Sequence, residues 1–206
     1  MIAIIDYSVG NLFSLASSFS AIGAEAVVTA DPAVIRAADR LILPGVGAFE
    51  DAARKLRESG MADLVKEEAA RGKPIMGICL GMQMLFEKSF EYGEHEGLGL
   101  IKGSVRPIAD VIPKGLKIPH IGWNALRFTR PHSLFKYLKE GDFVYFVHSF
   151  YAADCNDAVI ATSEYGAPLT AAVANGNVMG CQFHPEKSGD VGLSILRAFC
   201  EWEVAQ

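Results

Sequence analysis

The 206-residue chain contains no Cys-x-x-Cys pair, although four cysteines, Cys79, Cys155, Cys181 and Cys200, are spread along it. A domain of this size builds its own core and needs no disulfide staples. Four reduced thiols in a cytoplasmic protein are therefore expected, most of them packed as small hydrophobes. No apolar run approaches the ~20 residues that cross a bilayer, and no membrane association is expected. The opening Met1-Ile2-Ala3-Ile4-Ile5-Asp6 lacks the basic flank of a signal peptide and reads as a buried strand. Basic clusters are missing too. With 19 Lys and Arg against 24 Asp and Glu, the net charge of −5 argues against a nucleic-acid partner. There is no linker, repeat or low-complexity segment, so residues 1–206 are taken as one domain.

What is present is a chain half hydrophobic, with its glycines and prolines scattered. The first half alternates short aliphatic runs with helical patterns. Strands are predicted at 1–6, 25–29, 40–44 and 74–78, and helices at 11–22, across 48–72 with a break at Ser59-Gly60, and from Cys79 to about Glu87. This β-α alternation predicts an α/β fold around a mixed, mostly parallel sheet flanked by helices. The second half has closely spaced strand-like runs at 100–106, 122–128, 143–150, 158–163, 169–175 and 177–183. Asn175-Gly176-Asn177 is a hairpin signal among them, and a helix over about 189–204 closes the chain. One mixed sheet with an antiparallel extension accommodates all of these runs.

Three segments carry chemistry. Gly77-Ile78-Cys79-Leu80-Gly81 is the thiol form of a nucleophile elbow, lying between an apolar strand and a helical pattern. Such a turn strains the nucleophile's backbone and leaves no room for side chains two residues to either side. The helix N-terminus beyond it favours a thiolate and aims the Leu80 N–H at any oxyanion formed there. Read alone, the pattern also describes a core cysteine among tightly packed glycines. A thiol nucleophile needs a base. Of His95, His120, His132, His148 and His184, only His184 directly follows an apolar strand and has a carboxylate two residues on, Glu186. Cys79, His184 and Glu186 then satisfy the logic of nucleophile, base and orienting carboxylate. Pro44-Gly45-Val46-Gly47 is a plain turn or a loop whose amides complete an oxyanion hole with Leu80. It lacks the Gly-Lys-Ser/Thr of a phosphate loop.

In this order the three segments resemble the class I, triad-type glutamine amidotransferases. Within them they resemble the glutaminase subunits of imidazole glycerol phosphate synthase. The resemblance runs nearly end to end, through Asp6–Leu12, Leu43–Phe49, Gly77–Gln83, Pro119–Asn124, Tyr145–Ser149 and Gln182–Ser188. Ser8 departs from it, standing where a glycine is common. The resemblance implies glutamine as substrate, with Cys79, His184 and Glu186 catalytic, and Val46 and Leu80 giving the oxyanion N–H groups. It implies Gln83 as a contact to the amino-acid end of the substrate, and Gly45, Gly47, Ser149 and Phe150 as further lining. No metal or cofactor is implied. The implied partner is a cyclase subunit, an eight-fold βα barrel in a heterodimer that consumes the ammonia, with Asn11, Trp123, Tyr145 and Lys187 at the interface. Another subunit of the same class, a non-catalytic regulatory module and a free-standing cysteine hydrolase remain rival readings at this level.

Overall fold

The computed structural model describes residues 1–203. Four parallel strands open it: β1 (Ile2–Ile5), β2 (Ala26–Thr29), β3 (Arg40–Leu43) and β4 (Ile75–Ile78). The remaining strands are β5 (Phe86–Ser89), β6 (His95–Glu96), β7 (Ile101–Pro107), β8 (His120–Ala125) and β9 (Arg127–Phe128). They continue with β10 (Phe143–His148), β11 (Phe150–Ala153), β12 (Val159–Glu164), β13 (Pro168–Asn175) and β14 (Val178–Cys181). The helices are α1 (Leu12–Ala21), α2 (Pro32–Ala37), α3 (Phe49–Glu58), α4 (Met61–Ala70), α5 (Leu80–Met84) and α6 (Gly189–Cys200).

The main sheet has the order β2-β1-β3-β4-β14-β13-β12-β9. It is parallel from β2 to β14 and antiparallel beyond. Every residue of β1, β4 and β14 is buried, as expected when helices cover both faces of a parallel sheet. Alternation along the strands divides the core. Ala3, Ile5, Leu41, Leu43 and Ile75 enter one layer with α3 and α4. Ile2, Ile4, Ile42, Met76 and Ile78 enter the other with α1 and α6.

The mixed sheet is therefore there, but it does not hold every strand. The predicted runs at 100–106 and 143–150 and most of that at 122–128 leave it: β7 joins a four-stranded sheet, β11-β7-β5-β6, and β10 pairs with β8 as a separate ribbon, with only Arg127–Phe128 left at the main sheet's edge as β9. The helix predicted from Cys79 to Glu87 stops at Met84, because Phe86 turns into β5 and pairs with Ile101. Tertiary pairing overrides a local helical pattern there. The short α2 was not anticipated, although its start is explicit: Asp31 caps it by accepting from the Ala33 N–H at 2.8 Å, and Pro32 follows at the first helical position. The break at Ser59-Gly60 holds, with Gly60 at φ +74. The last helix ends at Cys200, and the residue 204 to which it was expected to run lies outside the described residues.

Ser8 has φ +65, which gives a physical reason for a glycine at that place. Its N–H donates to Asp6 Oδ1 at 3.0 Å, and this turn bond holds the strained conformation. Ser8→Gly is expected to stabilise the chain by roughly 1 kcal/mol, the cost of a left-handed residue bearing a Cβ. Urea denaturation checks this through a higher midpoint at unchanged slope.

Candidate active site

β4 and β14 are parallel neighbours, so their C-terminal ends meet at one edge, and Cys79 and His184 follow those ends. Cys79 stands at φ +54, ψ −112, a conformation rarely held by a residue with a side chain. The turn survives because its neighbours leave space. A Cβ on Gly77 would lie 2.7 Å from the Gly81 carbonyl, and one on Gly81 would lie 1.9 Å from the Leu43 oxygen. The Cys79 N–H donates to the Cys181 carbonyl at 2.8 Å, which ties the elbow to β14.

The Pro44–Gly47 loop packs directly on this elbow. A Cβ on Gly45 would meet the Gly81 nitrogen at 2.6 Å, so Gly45 is spent on close approach of the two backbones. Tyr7 Oη donates to the Pro44 carbonyl at 2.6 Å and anchors the loop from below. Val46 and Gly47 then border a cavity of about 300 Å³ that also holds Cys79, Leu80, Gln83, Ser149, Phe150 and His184. Gly45 does not reach it. The first N–H groups of α5 lack intrahelical acceptors, so the Leu80 amide is available at the cavity floor.

His184 is held from three directions. Its N–H donates to the Tyr145 carbonyl at 2.9 Å, its carbonyl accepts from Ser188 Oγ at 2.6 Å, and its Nδ1 meets Glu186 Oε1 at 2.9 Å. The Glu186 side chain is 1% exposed. Its second oxygen is buried with no hydrogen-bond partner among the described residues, leaving the imidazole as its counter-charge. Burial by itself disfavours the imidazolium, but hydrogen bonds to Cys79 and Glu186 outweigh that cost and raise His184 to about 9. At neutral pH the ring carries a proton and can donate it to a leaving group.

The other histidines near the cavity are committed elsewhere. His148 Nδ1 faces the Phe150 carbonyl at 2.8 Å and must donate, so its Nε2 accepts from His120 Nδ1 at 3.1 Å. His120 Nε2 then accepts from Asn124 Nδ2 at 3.3 Å. Burial, helped by the neighbouring His120 and His184, holds His148 down to about 4. Both rings are neutral and fully bonded, and neither has a nitrogen left for proton transfer.

Several lining residues carry no sequence signal that singled them out. Glu91 and Tyr92 border the cavity from the β5–β6 turn. Glu91 Oε2 accepts from the Phe49 N–H at 2.8 Å, and burial raises its pKa above the ordinary carboxylate value. A carboxylate in this position suits a ligand's ammonium group. Nothing in the local spacing of Phe90-Glu91-Tyr92 points to a site 12 residues away in sequence from the nucleophile, since the turn is placed by the second sheet.

Of the four residues assigned to an interface, three cluster. The Trp123 and Tyr145 rings meet edge to face at 6.2 Å, and Lys187 Nζ lies 6.0 Å from the Tyr145 ring centre. Trp123 is half exposed, beside the exposed Ile121 and Phe143. Asn11 occupies the N-cap of α1 without a side-chain capping bond.

Comparison with known proteins gives the same outline. The family model for class-I glutamine amidotransferase matches residues 3–201. The imidazole glycerol phosphate synthase subunit HisH of Sulfurimonas denitrificans is 53% identical, over 98% of each chain. That of Caldanaerobacter subterraneus is 50% identical, again over 98% of each. Among solved structures, one described as a glutamine amidotransferase superposes with a TM-score of 0.76 at 22% identity and 98% coverage of both chains. The PurLQS structure from Thermotoga maritima gives 0.72 at 21%, over 97% of both. The structures speak for the fold alone, whereas the family match and the half-identical relatives reach further: this chain belongs to the class-I glutamine amidotransferases.

Proposed function

We propose that the chain is the glutaminase subunit of an imidazole glycerol phosphate synthase, with residues 1–206 forming one amidotransferase unit in the cytoplasm. The observation that carries the reading is the Cys79 elbow opening on a cavity beside an imidazole that a fully buried carboxylate holds at 2.9 Å. In this reading the Cys79 thiolate attacks the side-chain carboxamide carbon of glutamine. The C–N bond breaks as His184 protonates the departing nitrogen, which leaves as ammonia. Water then adds to the thioester, His184 takes its proton, and the thiolate leaves, releasing glutamate. The amides of Leu80 and Val46 serve the oxyanion, while Gln83 and Glu91 address the α-amino end.

The ammonia is delivered to a cyclase subunit, a βα barrel that makes imidazole glycerol phosphate and an aminoimidazole carboxamide ribotide. The β8–β10 ribbon supports a partner on this side. Antiparallel pairing puts Ile121 with Val147 and Trp123 with Tyr145 on one face. Val147 borders the cavity, and the same face continues outward through Trp123, with Lys187 alongside. Asn11 is assigned to the same interface.

The ribbon also bears on catalysis, since the Tyr145 carbonyl and N–H bond to the His184 N–H and to Ser188 Oγ. A partner seated on Tyr145 therefore presses on the loop that carries the base. Glutamine hydrolysis by the lone chain is expected to be slow, rising about a hundredfold or more when the cyclase and its ribonucleotide are present. The assay is glutamate release with and without the co-expressed barrel and its substrate. Fast hydrolysis by the lone chain, indifferent to both, would contradict the coupling.

A further inference from the structure

Gln182 belongs to none of the roles above, yet it is completely buried between β14 and His184. Its Nε2 lies 3.6 Å from Cys79 Sγ, and its Oε1 accepts from Gln83 Nε2 at 2.9 Å. Hydrogen-bond logic fixes which way both carboxamides face. Gln83 Nε2 also donates to the Phe150 carbonyl at 3.1 Å, and a carbonyl can only accept. Gln83 therefore turns its nitrogen inward, Gln182 must answer it with oxygen, and the Gln182 nitrogen is left facing sulfur.

Two consequences follow. Both amide hydrogens of Gln83 are used by the protein, so only its Oε1 is available to the cavity. That oxygen accepts and cannot donate, so it suits a donor such as an ammonium group, and Glu91 borders the same cavity. Secondly, an N–H aimed at sulfur bonds a thiolate more strongly than a thiol. The Gln182 amide gives the side-chain hydrogen bond to this sulfur among the described residues.

We propose that Gln182 is a positioning residue that holds the Cys79 sulfur in place for attack and at the same time locks Gln83 in the orientation that selects an α-ammonium group. It does this without touching substrate. One buried carboxamide thus links recognition at one end of glutamine to the nucleophile at the other. This rests on the glutaminase reading of the cavity, and its test is separable from that reading.

The test is Gln182→Met, which keeps length and volume and removes both polar atoms. Iodoacetamide alkylation of Cys79 would be followed against pH, with Cys79→Ala as the blank for the other three thiols. The alkylation rate at pH 7 is expected to fall about tenfold. In the complex, kcat/KM would be compared for L-glutamine and for glutaric acid monoamide, the same carboxamide without the amino group. Freed Gln83 is expected to cost about tenfold of that preference. A folded Gln182→Met protein with an unchanged alkylation rate and unchanged preference overturns the proposal.

If the methionine variant does not fold, Gln182→Asn withdraws the carboxamide by one methylene. The same losses are then expected, and their absence is equally fatal. Absence of glutamine hydrolysis by the wild-type complex would instead sink the glutaminase reading, whatever Gln182 does.

Discussion

Cys79→Ala is expected to abolish glutamine-dependent synthesis by the complex with its cyclase while leaving synthesis from added ammonium salts within about twofold of wild type. The loss should reach background, a factor of about 10⁴ or more, since no other group can form the acyl intermediate. Cys181 does not substitute. It is wholly buried, and burial, with nearby Glu186 and Cys79, keeps its thiol well above the ordinary range. The variant is also mild for the fold. Cys79 is nearly buried, and alanine removes one sulfur from an otherwise intact turn, costing about 1–2 kcal/mol. Ammonia-driven turnover is the informative control, because it needs no thiol. Loss of both activities would make Cys79 a structural residue and would remove the acyl-enzyme mechanism.

Glu186→Gln is the second large effect, and it reads the base through its partner. The folded pKa of His184, about 9, lies above the ordinary value near 6.5. Its contribution to stability is therefore complete below about pH 6.5 and is lost as pH rises through about 9. Neutralising Glu186 removes the carboxylate bonded to His184 Nδ1, and the burial penalty, which pulls His184 downward, then weighs more. The ring should titrate below its wild-type value and be less protonated when ammonia departs. A fall in kcat/KM of about a hundredfold, or roughly 3 kcal/mol of transition-state stabilisation, is expected. An NMR titration of the imidazole, alongside glutaminase kinetics from pH 6 to 10, checks both parts. An unchanged titration with reduced activity would mean that Glu186 only shapes the turn. The stability difference between wild type and variant should also narrow from pH 6.5 towards 9, which denaturant titrations at several pH values would register.

The elbow shows how far local pattern reaches. Gly77, Cys79 and Gly81 could be read from spacing because the constraint is local, set by steric exclusion within five residues of chain. His184 and Glu186 were legible for a similar reason: two residues apart on one turn, they must share an environment wherever that turn lies. The alternation of strand and helix in the first half also follows from short-range periodicity. What spacing could not show was partner choice. The run at 143–150 has the same alternation whether it joins the main sheet or forms a ribbon with β8, and only packing of Phe146 and His148 against the rest of the core settles which.

Glu91 and Gln182 lie beyond local pattern for the same reason. Glu91 reaches the cavity because β5 leaves the end of α5 and pairs with β7. Gln182 reaches both Cys79 and Gln83 because β14 lies beside β4 in parallel register. Residue types and local turns alone thus single out Cys79, His184 and Glu186 as the proposed nucleophile, base and orienting carboxylate, and predict the helix-flanked parallel core. The cavity, the locked orientation of Gln83 and the apolar ribbon face needed the tertiary fold, because they depend on strand pairings between segments up to about a hundred residues apart, which sterics within a turn do not encode.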